Sequence, residues 1–318
     1  MQRRSIRYSK FGDPREVAEF VTETISSELG PNEALIRWLA SPINPLDINK
    51  LQGAYAVKPP LPAIGGSEAV GRVIGSSVTS LSPGDKVVIF TLNSSCWTDF
   101  SVLQGATLMI NPTTAWIMMK MGGMEKGDWI IQNSANSGVG RAVIEIAKAK
   151  GYHTINVVRD RPEIRELKDE LIRLGGDIVW TEEEVKNEGK SFKGRPKLAL
   201  NGVGGNSCLQ ISSLLSRGGM LVTYGGMSKK AHEISTSSLV FNGITAVGVA
   251  NAVWMANNEK ETEKMMEEIQ NFFLRGDLHP PPMDEHPLEN YKKAIENSMD
   301  GKHRKQIFII DEERSAKI

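Results

Sequence analysis

Trp129-Ile-Ile-Gln-Asn-Ser-Ala-Asn-Ser-Gly-Val-Gly-Arg-Ala-Val-Ile-Glu-Ile-Ala-Lys-Ala-Lys150 is the stretch whose reading decides the fold. Trp129 to Gln132 are apolar or β-compatible, and Asn133 to Ser137 are turn formers. Val139, Ala142, Val143, Ile146 and Ala147 then recur at helical spacing, and Gly151 is a natural left-handed stop. The pattern predicts a strand, a tight turn carrying Gly138 and Gly140, and a helix. Such a turn leaves backbone N–H groups free at a helix N-terminus, where a phosphate can sit. Taken alone, the two glycines fit an ordinary close-packed strand-to-helix turn equally well.

The next strand tips that balance. Tyr152 to Val158 runs into Arg159-Asp160-Arg161. That is about 20 residues past the glycines, where a dinucleotide fold reads the adenosine ribose. An acid alone would suit a free 2′-hydroxyl. Two guanidinium groups suit a 2′-phosphate, so the expected cofactor is NADPH.

The remaining composition excludes several classes. Basic and acidic residues balance at 38 each, so nothing points to a nucleic-acid partner. The two cysteines, Cys96 and Cys208, make no disulfide framework. No apolar run reaches membrane-spanning length. Arg3, Arg4, Arg7 and Lys10 precede the first acid, Asp13, which suits at most a remnant of a mitochondrial presequence, because Ile6 to Phe11 reads as a first strand.

Residues 1 to 112 are rich in Pro and Gly, with β-like runs at Leu35–Leu39, Ala69–Ile74 and Lys86–Phe90. From residue 113 strands and helices alternate, which predicts a doubly wound parallel sheet with helices on both faces. Its strands are Trp129–Asn133, Tyr152–Val158, Asp177–Trp180, Lys197–Val203, Met220–Tyr224 and Ile244–Val249. Pro162 is expected to start one helix, and Thr181 with Glu184 forms a capping box. Asn257 to Arg275 reads as a surface helix. The run His279 to Pro282 ends it, and residues 285–318 return to the first domain through a helix and the strand Lys305 to Ile310. The expected organisation is an α/β chain: a nucleotide-binding domain at 113–284 inserted in a mostly β domain at 1–112 and 285–318.

Several blocks together resemble the medium-chain dehydrogenase/reductase superfamily. They are Ser41 to Asn49, Gln52-Gly53-Ala54-Tyr55, Gly65 to Glu68, Ile110 to Trp116, Gln132 to Gly140, Ile155 to Pro162, Ala199 to Gly205, Val222 to Met227 and Lys305-Gln306-Ile307. More closely the chain is similar to the zinc-free mitochondrial 2-enoyl thioester reductases, also called trans-2-enoyl-CoA or enoyl-acyl-carrier-protein reductases. The resemblance implies a Rossmann-type sheet set in a GroES-like catalytic domain. It implies that Tyr55 is the catalytic residue, a hydrogen-bond donor to the thioester oxygen. It places Asn111 at the nicotinamide, Asn136, Ser137, Gly138 and Val139 at the pyrophosphate, and Arg159, Asp160 and Arg161 at the 2′-phosphate. It adds Tyr224, Gly225, Gly226 and Met227 along the adenosine channel, and Lys305 from the tail. It further implies a homodimer, a mitochondrial location (with the cytoplasm as the alternative), and a substrate carried on acyl carrier protein or CoA.

The residues also speak to zinc. Gly66-Ser67-Glu68 stands where a zinc alcohol dehydrogenase has Gly-His-Glu, and Asn44 to Asp47 where it has a ligand cysteine. No metal is expected. Two departures from the enoyl reductases stand out. Trp97 and Asn111 lie only 14 positions apart (111 − 97), short by roughly 15 residues if a strand and its turn are missing, which predicts a weakened first domain. Val249 and Ala250 are small where the family has aromatic residues. Three functions stay open: reduction of enoyl thioesters by NADPH, a zinc-free quinone or enone reductase, and a non-catalytic NADPH-binding protein.

Overall fold

Arginines alternating with Ser5, Ile6 and Tyr8 build a strand at the start of the chain, because the apolar set can be buried while each arginine meets an acid. The computed structural model describes residues 1–79, 81–90, 95–103, 110–300 and 304–310. They fall into two units, Met1–Met109 with Pro281–Ile318, and Ile110–Pro280.

The first unit opens with β1 (Gln2–Tyr8), α1 (Pro14–Val17), β2 (Glu19–Thr24), β3 (Ala34–Pro42), α2 (Pro45–Leu51), β4 (Ala63–Ile64), β5 (Glu68–Ser76), β6 (Lys86–Phe90) and β7 (Phe100–Leu103). The first strand thus begins earlier than the expected Ile6 and ends at Tyr8. Arg3 and Arg7 are held by Glu23 across on β2, and Arg4 by Asp99 and Glu289, while Asp13 caps α1 and turns the chain away.

The second unit runs α3 (Ile110–Met121), β8 (Trp129–Gln132), α4 (Gly138–Lys150), β9 (His153–Val158), α5 (Ile164–Leu174), β10 (Ile178–Thr181), α6 (Glu182–Glu188), β11 (Leu198–Asn201), α7 (Gly205–Ser213), β12 (Met220–Thr223), α8 (Thr236–Phe241), β13 (Thr245–Gly248), α9 (Asn251–Asn257) and α10 (Glu259–Arg275). Its strands form one parallel sheet in the order β10-β9-β8-β11-β12-β13. Counted from β8 that is 3-2-1-4-5-6, the doubly wound order, and the order reverses between β8 and β11. Two details differ from expectation. The helix expected from Pro162 starts at Ile164, after a turn in which Ile164 N–H donates to the Arg161 carbonyl at 3.1 Å. The helix expected over Asn257 to Arg275 is α10 alone, since Asn258 leaves helical geometry and its side chain donates to the Trp254 carbonyl at 2.8 Å.

The chain returns to the first unit through β14 (Met283–Pro287), α11 (Tyr291–Met299) and β15 (Lys305–Ile309). β14 has no counterpart among the expected strands, because His286 and Pro287 break any apolar pattern. A sheet β14-β15-β3-β5-β6 results, with β7 also paired to β3. β5 lines one edge of β3. β7 pairs with its residues 34–37 and β15 with residues 40–42, so the second edge is shared by two strands. The strand expected over Thr98 to Val102 is therefore present as β7. Residues 104–109 of the expected shortening lie outside the described residues. Behind this sheet Trp38 and Trp97 are fully buried, and Trp97 meets Phe308 edge to face at 5.5 Å.

Candidate active site

In the second unit the turn between β8 and α4 is fixed from below by amides. Asn133 Nδ2 donates to Asn201 Oδ1 at 2.9 Å, and Asn133 Oδ1 accepts the Gly202 N–H at 2.8 Å. Gln132 Nε2 donates to the Gly140 carbonyl at 2.9 Å and to Asn156 Oδ1 at 2.8 Å. Asn201 Oδ1 also accepts the amides of Val203 and Gly204, while its Nδ2 meets Thr223 and His232. These groups sit at the carboxyl ends of β8, β11 and β12, where an open parallel sheet binds its ligand.

Above them lies the cradle. Ser137 caps α4, its Oγ accepting the Gly140 N–H at 3.1 Å. The first-turn amides of α4 have no intrahelical carbonyl to meet, and they carry the positive end of the helix dipole. Gly140 must be glycine: a Cβ there would stand 2.5 Å from the Ala135 carbonyl. Gly138 is covered by Asn111, whose Nδ2 would lie 2.5 Å from an added Cβ. Asn111, Asn136, Ser137, Gly138 and Val139 are thus gathered at one helix end. The loop after β12 closes on the loop after β11: Tyr224 N–H donates to the Asn201 carbonyl and Met227 N–H to that of Gly202. Gly225 lies against Gly202, while Gly226 and Met227 are exposed.

Two observations say that these residues fit a phosphorylated dinucleotide. The Tyr224 hydroxyl is buried without a hydrogen-bond partner among the described residues. Burial pushes its pKa up to about 12, and the nearby Ser137 hydroxyl, which opposes that rise, falls short of a hydrogen bond. A buried orphan hydroxyl is costly unless a ligand completes it. The other observation lies past β9. Arg159 and Asp160 are exposed and Arg161 half-buried. Burial, and after it the like charge of Arg159, lowers the Arg161 pKa. An anion relieves that repulsion.

Tyr55 and Lys305 belong to the first unit. α2 is short, and the chain folds back after it: the N–H groups of Ala54 and Tyr55 both donate to the Asn49 carbonyl, at 2.9 and 3.2 Å. Gly53 allows this turn with φ 69°, its α-carbon against Phe11. Tyr55 is half-buried. Burial first, and the Asp47 carboxylate second, raise its pKa, so the phenol keeps its proton.

Sequence reasoning missed the network beneath it. Asp47 is fully buried, accepting the Asn44 N–H at 2.8 Å and the Ser67 hydroxyl at 2.6 Å. Lys50 Nζ donates to the same Ser67 oxygen at 2.8 Å. Burial pushes the Asp47 carboxyl up and the Lys50 ammonium down, and each holds the other toward its charged form. Asn44 Nδ2 donates to Glu68 at 2.9 Å, and Lys305 Nζ donates to Asn44 Oδ1. Lys305, expected at the cofactor, is here engaged by Asn44. The signal was the spacing of Asp47 and Lys50, three apart on one helix face.

The Alcohol dehydrogenase GroES-like domain model matches residues 30–126, and the Zinc-binding dehydrogenase model matches residues 138–271. Among the described residues no group of three or more His, Cys, Asp or Glu is placed to hold a metal ion. A Caenorhabditis elegans protein, the mitochondrial enoyl-acyl-carrier-protein reductase, is 51% identical over 332 aligned positions, covering 97% of this chain and 96% of that protein. A solved complex of Etr1p with NADP and crotonyl-CoA superposes with a TM-score of 0.89 at 29% identity, covering 97% of this chain and 100% of the other. The Etr1p/Etr2p heterodimer of the mitochondrial 2-enoyl thioester reductase from Candida tropicalis gives 0.87 at 32% identity, with the same coverage.

Proposed function

This chain belongs to the mitochondrial enoyl-acyl-carrier-protein reductase family, and from that premise we propose that Tyr55 is the donor in its NADPH-dependent reduction of trans-2-enoyl thioesters. NADPH bound at the Gly138–Gly140 turn supplies the hydride that the β-carbon of the thioester accepts. The Asn111, Asn136, Ser137, Gly138 and Val139 cluster orients the dinucleotide. Arg159, Asp160 and Arg161 surround its 2′-phosphate, and Tyr224 to Met227 line the adenosine side. Charge gathering on the thioester oxygen is stabilised by a hydrogen bond from the Tyr55 hydroxyl, and a proton then reaches the α-carbon. The observation that carries this reading is the place of Tyr55, half-buried on the turn after α2 where the Ala54 and Tyr55 N–H groups both donate to the Asn49 carbonyl. Tyr55→Phe lowers kcat for crotonyl-CoA by roughly 100-fold or more and leaves NADPH affinity as it was. Undiminished turnover removes Tyr55 from the role. Turnover of a quinone in place of crotonyl-CoA and hexenoyl-CoA, followed by NADPH absorbance, overturns the substrate class.

The acyl group arrives on acyl carrier protein or CoA, and the compartment is that of the named relatives, the mitochondrion. The partner subunit is a second copy of this chain. β13 ends the strand order of its sheet, with Thr245, Ala246 and Gly248 exposed, and the neighbouring α8 exposes Val240 and Phe241 at 66% and 76%. An open edge beside apolar side chains is a surface that pairs. Phe241→Asp is expected to shift the mass measured by light scattering from two chains to one; an unchanged mass moves the interface elsewhere.

A further inference from the structure

α2 has seven residues, too few to hold a helix unaided, and Tyr55 stands four residues beyond its end. Whatever fixes α2 fixes Tyr55. One tie is the Gly12 N–H, which donates to the Leu51 carbonyl at 3.0 Å. The stronger tie is buried. Asp47 and Lys50, one helical turn apart, both close on the Ser67 hydroxyl, which donates to the carboxylate and accepts from the ammonium. All three are buried, with Asp47 and Ser67 at 0% exposure and Lys50 at 7%.

We propose that the Lys50–Ser67–Asp47 chain is a positioning device for Tyr55: it fastens α2 to the Gly65–Glu68 segment and sets the place and charge environment of the Tyr55 hydroxyl. The inference rests on the reading of Tyr55 as the donor. The charges of Lys50 and Lys305 act on Asp47, and Asp47 acts in turn on Tyr8 and Tyr55. Cys96 acts on Lys50 together with Asp47, and Glu68 acts on Lys305. Tyr8 shows the reach of the Asp47 charge, since burial and then Asp47 raise it to about 12. A carboxylate in this position opposes phenolate formation, and Lys50 draws Asp47 toward its charged form against the burial that raises it. A cavity of about 30 Å³ lies beside the chain, lined by Tyr8, Asp47, Lys50, Gly65, Gly66 and Ser95.

The test uses the full chain carrying Asp47→Asn with Lys50→Met, which removes both charges at nearly constant volume, and Ser67→Ala, which removes only the bridging hydroxyl. NADPH affinity, read by fluorescence titration, stays at the parent value in both. The kcat for crotonyl-CoA falls about tenfold or more, as a displaced donor requires. In the double variant the alkaline limb of the kcat profile moves to lower pH, because the carboxylate no longer opposes Tyr55 ionisation. A folded, NADPH-binding double variant with the parent's kcat and pH profile overturns the proposal. Where the double variant does not fold, a parent-like kcat in Ser67→Ala overturns it. Tyr55→Phe run alongside separates the two readings. If Tyr55→Phe is fully active, both fall. If it is inactive while the network variants behave as the parent, only the positioning device falls.

Discussion

Each unit holds a buried polar network, and the two are built from different chemistry. Beneath the cradle, Gln132, Asn133, Asn156 and Asn201 are neutral amides, each bonded to backbone or to another neutral group. In the first unit the ionisable pair Asp47 and Lys50 shares one hydroxyl. The neutral network orients backbone N–H groups, which bind a phosphate by position alone. An amide costs less to bury than a charge, and the titratable group this network meets is the His232 imidazole at Asn201 Nδ2. The charged network stands by a side chain whose protonation state matters to the reaction, and its carboxylate acts on that state after burial does. Burial makes it expensive and sensitive to loss of either partner.

The largest stability effect expected from this difference is in the first unit. Asp47→Asn alone takes away the carboxylate that the buried Lys50 ammonium faces, and it should lower the unfolding free energy by about 3–5 kcal/mol, read from urea melts at pH 7. A loss under about 1 kcal/mol would mean that the pair is solvated in practice, and the contrast with the amide network would collapse.

How far the sequence carried this contrast differs between the units. The sheet of the second unit was legible because its determinants are local: Trp129 to Gln132 pattern a strand, Ser137 and Gly138 start a helix, Gly151 stops it. The cradle residues were legible for the same reason, since they cluster in the turns after β8, β9 and β12. The first unit was legible only as irregular β. Ser67 lies 17 positions from Lys50 and 20 from Asp47, and Lys305 lies 261 from Asn44. No periodicity records contacts at that range. Ser67 and the stretch Asn44 to Asp47 stand where zinc dehydrogenases carry metal ligands, but the bond between Ser67 and Asp47 is not predictable without the fold. β14 was missed because His286 and Pro287 mask it, and the role of β7 because nothing local says which edge of β3 it joins.

A smaller loss is expected from the neutral network. Asn201→Ala removes the acceptor of Asn133 Nδ2 and of the Val203 and Gly204 amides. Asn133 keeps Ser207 at 3.3 Å, the Gly204 amide is released in a buried place and that of Val203 in a part-buried one. The expected cost is about 1–3 kcal/mol. NADPH affinity should fall with it, since the Gly202 loop loses its anchor. A cost equal to that of Asp47→Asn would show that buried hydrogen bonds, charged or not, carry the same weight here.

The smallest effect separates charge from burial. Glu23 on β2 accepts from Arg3 at 2.6 Å, with Arg7 at 3.5 Å, on the partly exposed outer face of the β1–β2 hairpin. The bond from Arg3 holds its carboxyl below the usual range. A carboxyl lowered in the folded state adds stability above its unfolded pKa and loses it as the pH falls through the folded one. Glu23→Gln should therefore cost less than about 1 kcal/mol at pH 7, and the difference from the parent should shrink in urea melts carried out at progressively lower pH, vanishing where the folded carboxyl has taken up its proton. The same kind of pair, carboxylate against cation, then differs several-fold in worth between β2 and α2, and water is the variable. Equal costs for Glu23→Gln and Asp47→Asn at pH 7 would take burial out of the explanation and leave the hydroxyl of Ser67, absent from the hairpin pair, as the feature that gives Asp47 its weight.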